Sequence, residues 1–168
     1  MGVDLHRNYD SLDPVRQAAR DDHEAMLLWA EQRCRELAAR EQRGDYLQDG
    51  WSGWGGACQL GVLYGWRPAG TRLDEPGWTG GYFSNDAAQV TRDDALSLAS
   101  ALERALHDPD PERLSPDERI ETVPADLRDY LRDAEDVREV VGRLAHASQR
   151  RCLESYVRFL SRGSFTIH

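Results

Sequence analysis

The 168-residue sequence has no lysine, only three cysteines and no apolar run of the roughly 20 residues that span a bilayer. The cysteines, Cys34, Cys58 and Cys152, are odd in number, far apart and without CxxC spacing. This argues against a disulfide framework and against a zinc ribbon. The N-terminus lacks the apolar region of a signal peptide. Together these absences predict a cytoplasmic protein with no membrane span.

Motifs that bind nucleotides or metals are also missing. Without lysine there is no GxxxxGK[ST] phosphate loop, no GxGxxG follows a candidate strand, and no HExxH occurs. Asn85, Asp86, Asp93 and Asp94 do not have the spacing of an EF-hand, and turn formation with helix capping explains them. We therefore expect no metal and no cofactor.

Charge is distributed unevenly along the chain. The net charge is −9, yet residues 108–139 hold 12 acids against five arginines, and residues 143–168 hold five arginines against one acid. The acidic balance disfavours nucleic acid as a partner, because neutralising phosphates supplies most of that affinity. Two interpretations remain open: the basic C-terminal helix pairs internally with the acidic segment, or an acidic surface binds a basic partner.

Helical periodicity dominates the rest of the sequence. Asp13 and Pro14 begin a predicted long helix over 14–43, and Thr91 caps another over 91–107. Residues 124–162 keep helical spacing for too long to form one helix. We expect two or three helices there, with a break near 133–136 or near Ser148, followed by Gly163 and a short strand over 164–168. Residues 1–12 show no period and are predicted to be a loosely docked arm of a single domain.

Residues 44–83 differ in composition from the rest. They contain 11 of the 14 glycines and four of the five tryptophans. Residues 60–64 fit either a strand or a helical turn, and residues 78–83 fit a second strand. The predicted fold is mainly α with a minor β part. It has four or five helices and a small antiparallel β element from 60–83 and the C-terminal 164–168.

Two segments carry a resemblance. Tyr-Phe-Ser-Asn-Asp at 82–86, Gln-Val-Thr at 89–91 and Asp-Ala at 94–95 resemble a segment of a family of small uncharacterised bacterial proteins. The closing Phe-Leu-Ser-Arg-Gly-Ser-Phe at 159–165 is similar to the end of such proteins. The resemblance covers about residues 80–106 and 156–168. It implies a bacterial protein in which the two pieces pack together, and it transfers no catalytic residue.

Two candidate sites fall in the glycine- and tryptophan-rich segment. Cys58 follows Gly-Gly-Ala, and a helix beginning there would favour a thiolate nucleophile, with His107 or His146 as a base. The competing interpretation is a small buried cysteine. The tryptophan candidates for an aromatic platform or a ligand site are Trp51, Trp54 and Trp78. Core packing explains them as well.

The favoured hypothesis is a non-catalytic, cytoplasmic bacterial module that binds another protein. An immunity- or antitoxin-like protein that masks a basic partner fits the small size, the acidity and the lack of catalytic groups. The proposed contact residues are Asp110, Glu112, Asp117, Glu118 and Glu121. The alternatives are a small enzyme with Cys58 as nucleophile and a small-ligand-binding protein that uses the tryptophans.

Overall fold

A computed structural model describes residues 2–6, 35, 39, 46–72, 75–76, 82, 88–128, 131 and 133–167. Of the predicted helix over 14–43, only Arg35 and Ala39 are described, and both are helical. The rest of that helix lies outside the described residues. So does most of the predicted strand over 78–83, of which Tyr82 alone is described, in a 3₁₀ turn.

Six α-helices lie within the described residues. They are α1 (Trp51–Leu63), α2 (Arg92–His107), α3 (Pro116–Thr122), α4 (Ala125–Arg128), α5 (Ala134–Gly142) and α6 (Ala147–Leu160). A 3₁₀ turn, Arg143–Ala145, joins α5 to α6. The prediction of a mainly helical chain is confirmed. The count exceeds four or five because α3 and α4 are short helices of seven and four residues. None of these described helices combines the length and apolar character needed to cross a membrane.

Six short strands accompany the helices. They are β1 (Gly2–His6), β2 (Tyr46–Gly50), β3 (Gly70–Arg72), β4 (Glu75–Pro76), β5 (Gln89–Val90) and β6 (Phe165–Ile167). Strands β2, β1, β6 and β5 form one antiparallel sheet in that order, and β3 pairs with β4 in a separate hairpin.

The β part is larger than the sequence predicts, and its composition differs. Residues 60–63, which fit either a strand or a helical turn, belong to helix α1. Gly2–His6, in the predicted N-terminal arm, is a central strand between β2 and β6. Leu5 pairs with Ile167, so the two ends of the chain meet in one sheet. Periodicity over so few residues carries little information, and this pairing is set by contacts distant in sequence.

Side-chain caps divide the region between residues 115 and 160 into helices. The Asp133 carboxylate accepts hydrogen bonds of 2.9 Å from the backbone N–H groups of Glu135 and Asp136, which starts α5. Helix α6 begins after His146. The chain therefore breaks close to both predicted places. A complete capping box between Ser115 and Glu118 starts α3, a helix that we did not predict. Its Ser-x-x-Glu signature is visible in the sequence.

The core is centred on aromatic side chains from α1, α6 and the sheet. Trp54 is fully buried, with its ring centroid 5.7 Å from that of Phe165 and 6.1 Å from that of Tyr156. The Trp54 indole N–H donates to the Tyr82 carbonyl at 2.7 Å, which satisfies its polar atom. This packing joins the glycine- and tryptophan-rich segment to the C-terminal helix and strand.

The two segments that carry the resemblance lie together in the fold. Strand β5 pairs with β6, with Val90 opposite Phe165, and helix α2 packs along α6. Thr91 caps α2 by accepting a hydrogen bond from the Asp94 backbone N–H at 3.2 Å. Gly163, between α6 and β6, has a φ of +99°, a left-handed conformation that favours glycine.

Helix α1 offers a matched pair of glycine substitutions. A Cβ on Gly55 would meet no heavy atom within 4 Å, whereas a Cβ on Gly61 would lie 2.3 Å from Leu98 Cδ1. Gly55→Ala is expected to stabilise the protein by about 0.5–1 kcal/mol, because alanine has the higher helix propensity. Gly61→Ala is expected to destabilise it by about 1–3 kcal/mol through overpacking. Urea denaturation of both variants checks this, and equal effects would contradict the packing of α1 on α2.

Candidate functional site

A small network ties the start of the acidic segment to the end of helix α1. The Tyr64 hydroxyl donates to Asp108 Oδ2 at 2.7 Å, and Arg119 Nη2 lies 3.8 Å from the same oxygen. Arg119 also donates to the Pro111 carbonyl, and its guanidinium carbon lies 5.4 Å from the centroid of the Tyr64 ring. The network therefore holds the loop over residues 108–115 at its first residue, Asp108, and at Pro111.

The network shifts the pKa values of its members. Burial, reinforced by the hydrogen bond to Asp108, raises the pKa of Tyr64 to about 12. Partial burial favours a higher pKa for Asp108, but hydrogen bonds from Tyr64 and the Asp110 backbone, and then the charges of Arg119 and Arg113, lower its pKa overall. Asp108 is therefore ionised at neutral pH, and its charge is met inside the protein by Arg119.

The acids proposed as contact residues remain on the surface. We call them the acidic surface: Asp110, Glu112, Asp117, Glu118 and Glu121, all of them exposed. Three of them lie in α3, where Asp117 and Glu118 precede Glu121 by four and three residues. These three therefore share one side of the helix. Hydrogen bonds from the Ser115 hydroxyl and backbone lower the pKa of Glu118, which keeps it ionised. The other four carboxylates have no hydrogen-bond or ion-pair partner among the described residues.

Two arginines near the acidic surface bond to backbone carbonyl oxygens and not to these acids. Arg128 donates to the carbonyl oxygens of Val123 and Glu121, at 2.8 and 2.9 Å. Arg119 is directed to the Pro111 carbonyl and is buried. Neither guanidinium therefore forms an ion pair with a member of the acidic surface.

The basic C-terminal region behaves in part as the internal interpretation expects. Arg143 pairs with Glu139 of the acidic segment, one helical turn away, at 2.8 Å. Arg150 instead donates to the carbonyl oxygens of Leu144 and Leu106. The described pair lies on α5 and at its C-terminal end, and it includes no member of the acidic surface.

A pocket of about 280 Å³ lies beside the acidic surface. It opens between the first turn of α3 and helix α5, which pack against each other. Its described lining residues are Glu112, Leu114, Ser115, Pro116, Arg119, Val137, Arg138, Val141 and Gly142. The pocket thus includes one member of the acidic surface and is flanked in sequence by two others.

A larger cleft, of about 640 Å³, lies between α1, α5 and α6. Its floor is small and apolar, and its polar residues include Glu139, Arg143 and His146. Gly56 permits this arrangement, because a Cβ there would lie 2.6 Å from Arg143 Nη1. The cleft brings Glu139 and Arg143 together in an ion pair, and the half-buried Cys152 also lines it.

The prediction of Cys58 as a nucleophile is wrong. Cys58 is completely buried within helix α1, and burial raises the pKa of its thiol well above the usual value. A catalytic cysteine needs the opposite, a lowered thiol pKa and access to substrate. The two candidate bases do not assist it. His107 is exposed and bonds to the Glu103 carbonyl one turn back, and His146 is exposed before α6.

The prediction that Trp54 belongs to an exposed aromatic platform is wrong. Its side chain is fully buried in the core and its only polar atom is already bonded. The side chains of Trp51 and Trp78 lie outside the described residues, so their part of that prediction stays a prediction. The described residues that line the two cavities include no tryptophan.

Sequence reasoning missed Tyr64 and Arg119, the residues that position the acidic loop. Tyr64 and Asp108 are 44 positions apart, and no local motif signals such a contact. Among the described residues, no cluster of histidine, cysteine or acidic side chains has the arrangement of a metal site. Comparison with protein-family models, with curated proteins and with solved structures finds no match to this chain.

The burial of Cys58 predicts that it resists alkylation. In the native protein, iodoacetamide is expected to modify the half-buried Cys152 before Cys58, because Cys58 is enclosed in the core. Cys58 should react only in denaturant. Peptide mapping by mass spectrometry at successive times separates the two sites, and rapid native labelling of Cys58 would contradict its buried position.

The Tyr64–Asp108 contact predicts a pH-dependent contribution to stability. The pKa of Asp108 is lower in the folded state, so its stabilising contribution is present above about pH 4 and is lost as pH falls through the folded-state pKa. Asp108→Asn should therefore lower the free energy of unfolding at about pH 7 more than at about pH 3. Urea denaturation at the two pH values measures this difference.

The Tyr64→Phe variant separates the hydrogen bond from the charges. Removing the hydroxyl is expected to cost about 1–2 kcal/mol at neutral pH and to raise the pKa of Asp108. Side-chain carboxyl NMR titration reads that pKa directly. An Asp108 pKa that does not change in Tyr64→Phe would show that the Asp110 backbone N–H and the charges of Arg119 and Arg113, and not the hydroxyl, hold it down.

Proposed function

We propose that this protein is a non-catalytic binding module that uses its acidic surface against a basic protein partner. The observation that carries the proposal is the disposition of charge around α3. The acids of that region are exposed, while its two internally bonded arginines, Arg119 and Arg128, point to backbone carbonyl oxygens. The surface therefore presents negative charge that the described part of the fold does not neutralise.

Order in the loop over residues 108–115 supports the same proposal. Tyr64 bonds to Asp108 and Arg119 bonds to Pro111. Asp110 lies between these two held residues, and Glu112 directly follows the second. A restrained loop loses less conformational entropy on binding than a free one, which favours affinity. Exposed charges of one sign also steer a partner of opposite charge and raise the association rate.

The biological setting completes the proposal. A small acidic protein that covers the charged face of a basic one acts as immunity proteins and antitoxins do, and we place this chain in the cytoplasm of a bacterium on that basis. The enzyme alternative loses its support with the burial of Cys58. The ligand-binding alternative loses Trp54 to the core.

Charge reversal tests the acidic surface. The probe is a fluorescently labelled peptide of consecutive arginines, with binding read by anisotropy at about 50 mM and about 300 mM salt, where screening differs. Wild type is expected to bind at the lower salt and to lose affinity at the higher. Asp117→Lys combined with Glu121→Lys should weaken binding at least about tenfold at low salt.

A second double variant serves as the matched control. Glu103→Lys with Glu154→Lys changes the net charge by the same amount, at exposed positions on α2 and α6 outside the acidic surface. It should retain most of the binding. If the two double variants weaken binding equally, the peptide responds to overall charge alone and the acidic surface is not a site.

A further inference from the structure

We propose that the pocket between α3 and α5 receives one aromatic side chain of the basic partner, flanked in that partner by basic residues. This inference rests on the proposed function and names where the partner is anchored. A surface of exposed charges gives steering and specificity, whereas most binding energy in protein interfaces comes from a few desolvated side chains in pockets. The pocket lies beside the acidic surface and offers a place where such a contact can form.

The size of the pocket favours a single side chain as the occupant. Its volume is about 280 Å³, at the lower edge of the roughly 300–1,000 Å³ that small-molecule sites occupy. Its walls are formed by aliphatic side chains from both sides of the α3–α5 contact: Leu114, Pro116, Val137 and Val141. Val137 and Val141 are one helical turn apart on α5, so together they make a continuous apolar wall.

Two of the polar residues that line the pocket, Ser115 and Arg119, already form hydrogen bonds within the protein. The Ser115 hydroxyl exchanges hydrogen bonds with Glu118 in the capping box that starts α3. Arg119 donates to the Pro111 carbonyl, lies close to Asp108, and its Nε is buried without an acceptor among the described residues. The aliphatic walls of the pocket therefore favour an occupant that fills apolar space.

The charges around the opening select an aromatic group with basic neighbours. Arg138 is exposed and lines the pocket, and a guanidinium is attracted to the face of an aromatic ring. Glu112 also lines it, and Asp117 directly follows the lining residue Pro116. Basic residues on either side of the aromatic one would then lie against these carboxylates. Charge complementarity thus identifies the same kind of partner that the acidic surface does.

Two labelled peptides test the anchor. Each carries two arginines on either side of a central residue, which is tryptophan in one and alanine in the other. Both should bind wild type with the same salt dependence, and the tryptophan peptide should bind about tenfold more tightly. Leu114→Ala removes part of the pocket wall and should reduce that ratio to near one while leaving the alanine peptide unaffected. Leu96→Ala, an exposed leucine on α2, is the control and should keep the ratio.

Wild-type NMR makes the test independent of any variant's folding. The tryptophan peptide is expected to shift the amide signals of Val137, Val141 and Gly142, and the alanine peptide is expected to leave them in place. Equal affinities for the two peptides, or shifts confined to other regions, would overturn the anchor and leave the acidic surface standing. No salt-dependent binding of either peptide would overturn the proposed function itself.

Discussion

The buried carboxyl group of Asp94 connects three stretches of chain that the described strand pairs do not join. It is 2% exposed, and its oxygens accept hydrogen bonds from the Tyr82 hydroxyl at 2.7 Å and the Ala69 backbone at 2.8 Å. The Asp94 carbonyl accepts a third bond, from the Trp66 indole. A carboxyl group withdrawn from water needs such partners, since leaving it without them costs several kcal/mol. The glycine- and tryptophan-rich segment is therefore held to the first turn of α2 by polar contacts, and its rings stack there, with Trp66 6.0 Å from Tyr82.

The same placement of α2 determines where the acidic segment lies. Helix α2 runs from the Asp94 cluster to His107, so Asp108 emerges beside the end of α1, within reach of Tyr64. Arg104 strengthens that junction from within α2 by donating twice to the Tyr64 carbonyl, at 3.0 and 2.8 Å. Two hydrogen-bonded clusters, one at each end of α2, thus fix the position of the loop over residues 108–115. The acidic surface is positioned by the helix core and not by contacts among its own charges.

Local signals in the sequence were sufficient to predict α2, α5 and α6, but not α1, α3 or the sheet. Thr91 and Asp133 cap the starts of α2 and α5, and Gly163 follows the end of α6. Each acts on neighbouring residues, so these helix boundaries were close to the predicted ones. Strand β1 has no such signal, because its pairing with β6 joins residues more than 150 positions apart. The acids of the surface were readable as composition, but the bonds of Arg119 and Arg128 to carbonyl oxygens are decided by the fold. The nucleophile alternative for Cys58 fails for a related reason, and the buried-cysteine interpretation holds. A glycine-rich approach to a helix looks open in sequence, whereas here the helix itself is buried.

The use of arginine and not lysine allows the basic side chains of this chain to form several hydrogen bonds with backbone carbonyl oxygens. A guanidinium has five N–H donors in a planar fork, so Arg104 and Arg128 each direct two nitrogens to backbone carbonyl oxygens. An ammonium is a compact, strongly hydrated charge that does not bridge such acceptors in one plane. The buried Arg119 and the neighbouring Asp108 offset each other, so setting that pair aside leaves the net charge of the region unchanged. The negative charge around α3 is therefore carried by exposed acids, next to a pocket with aliphatic walls.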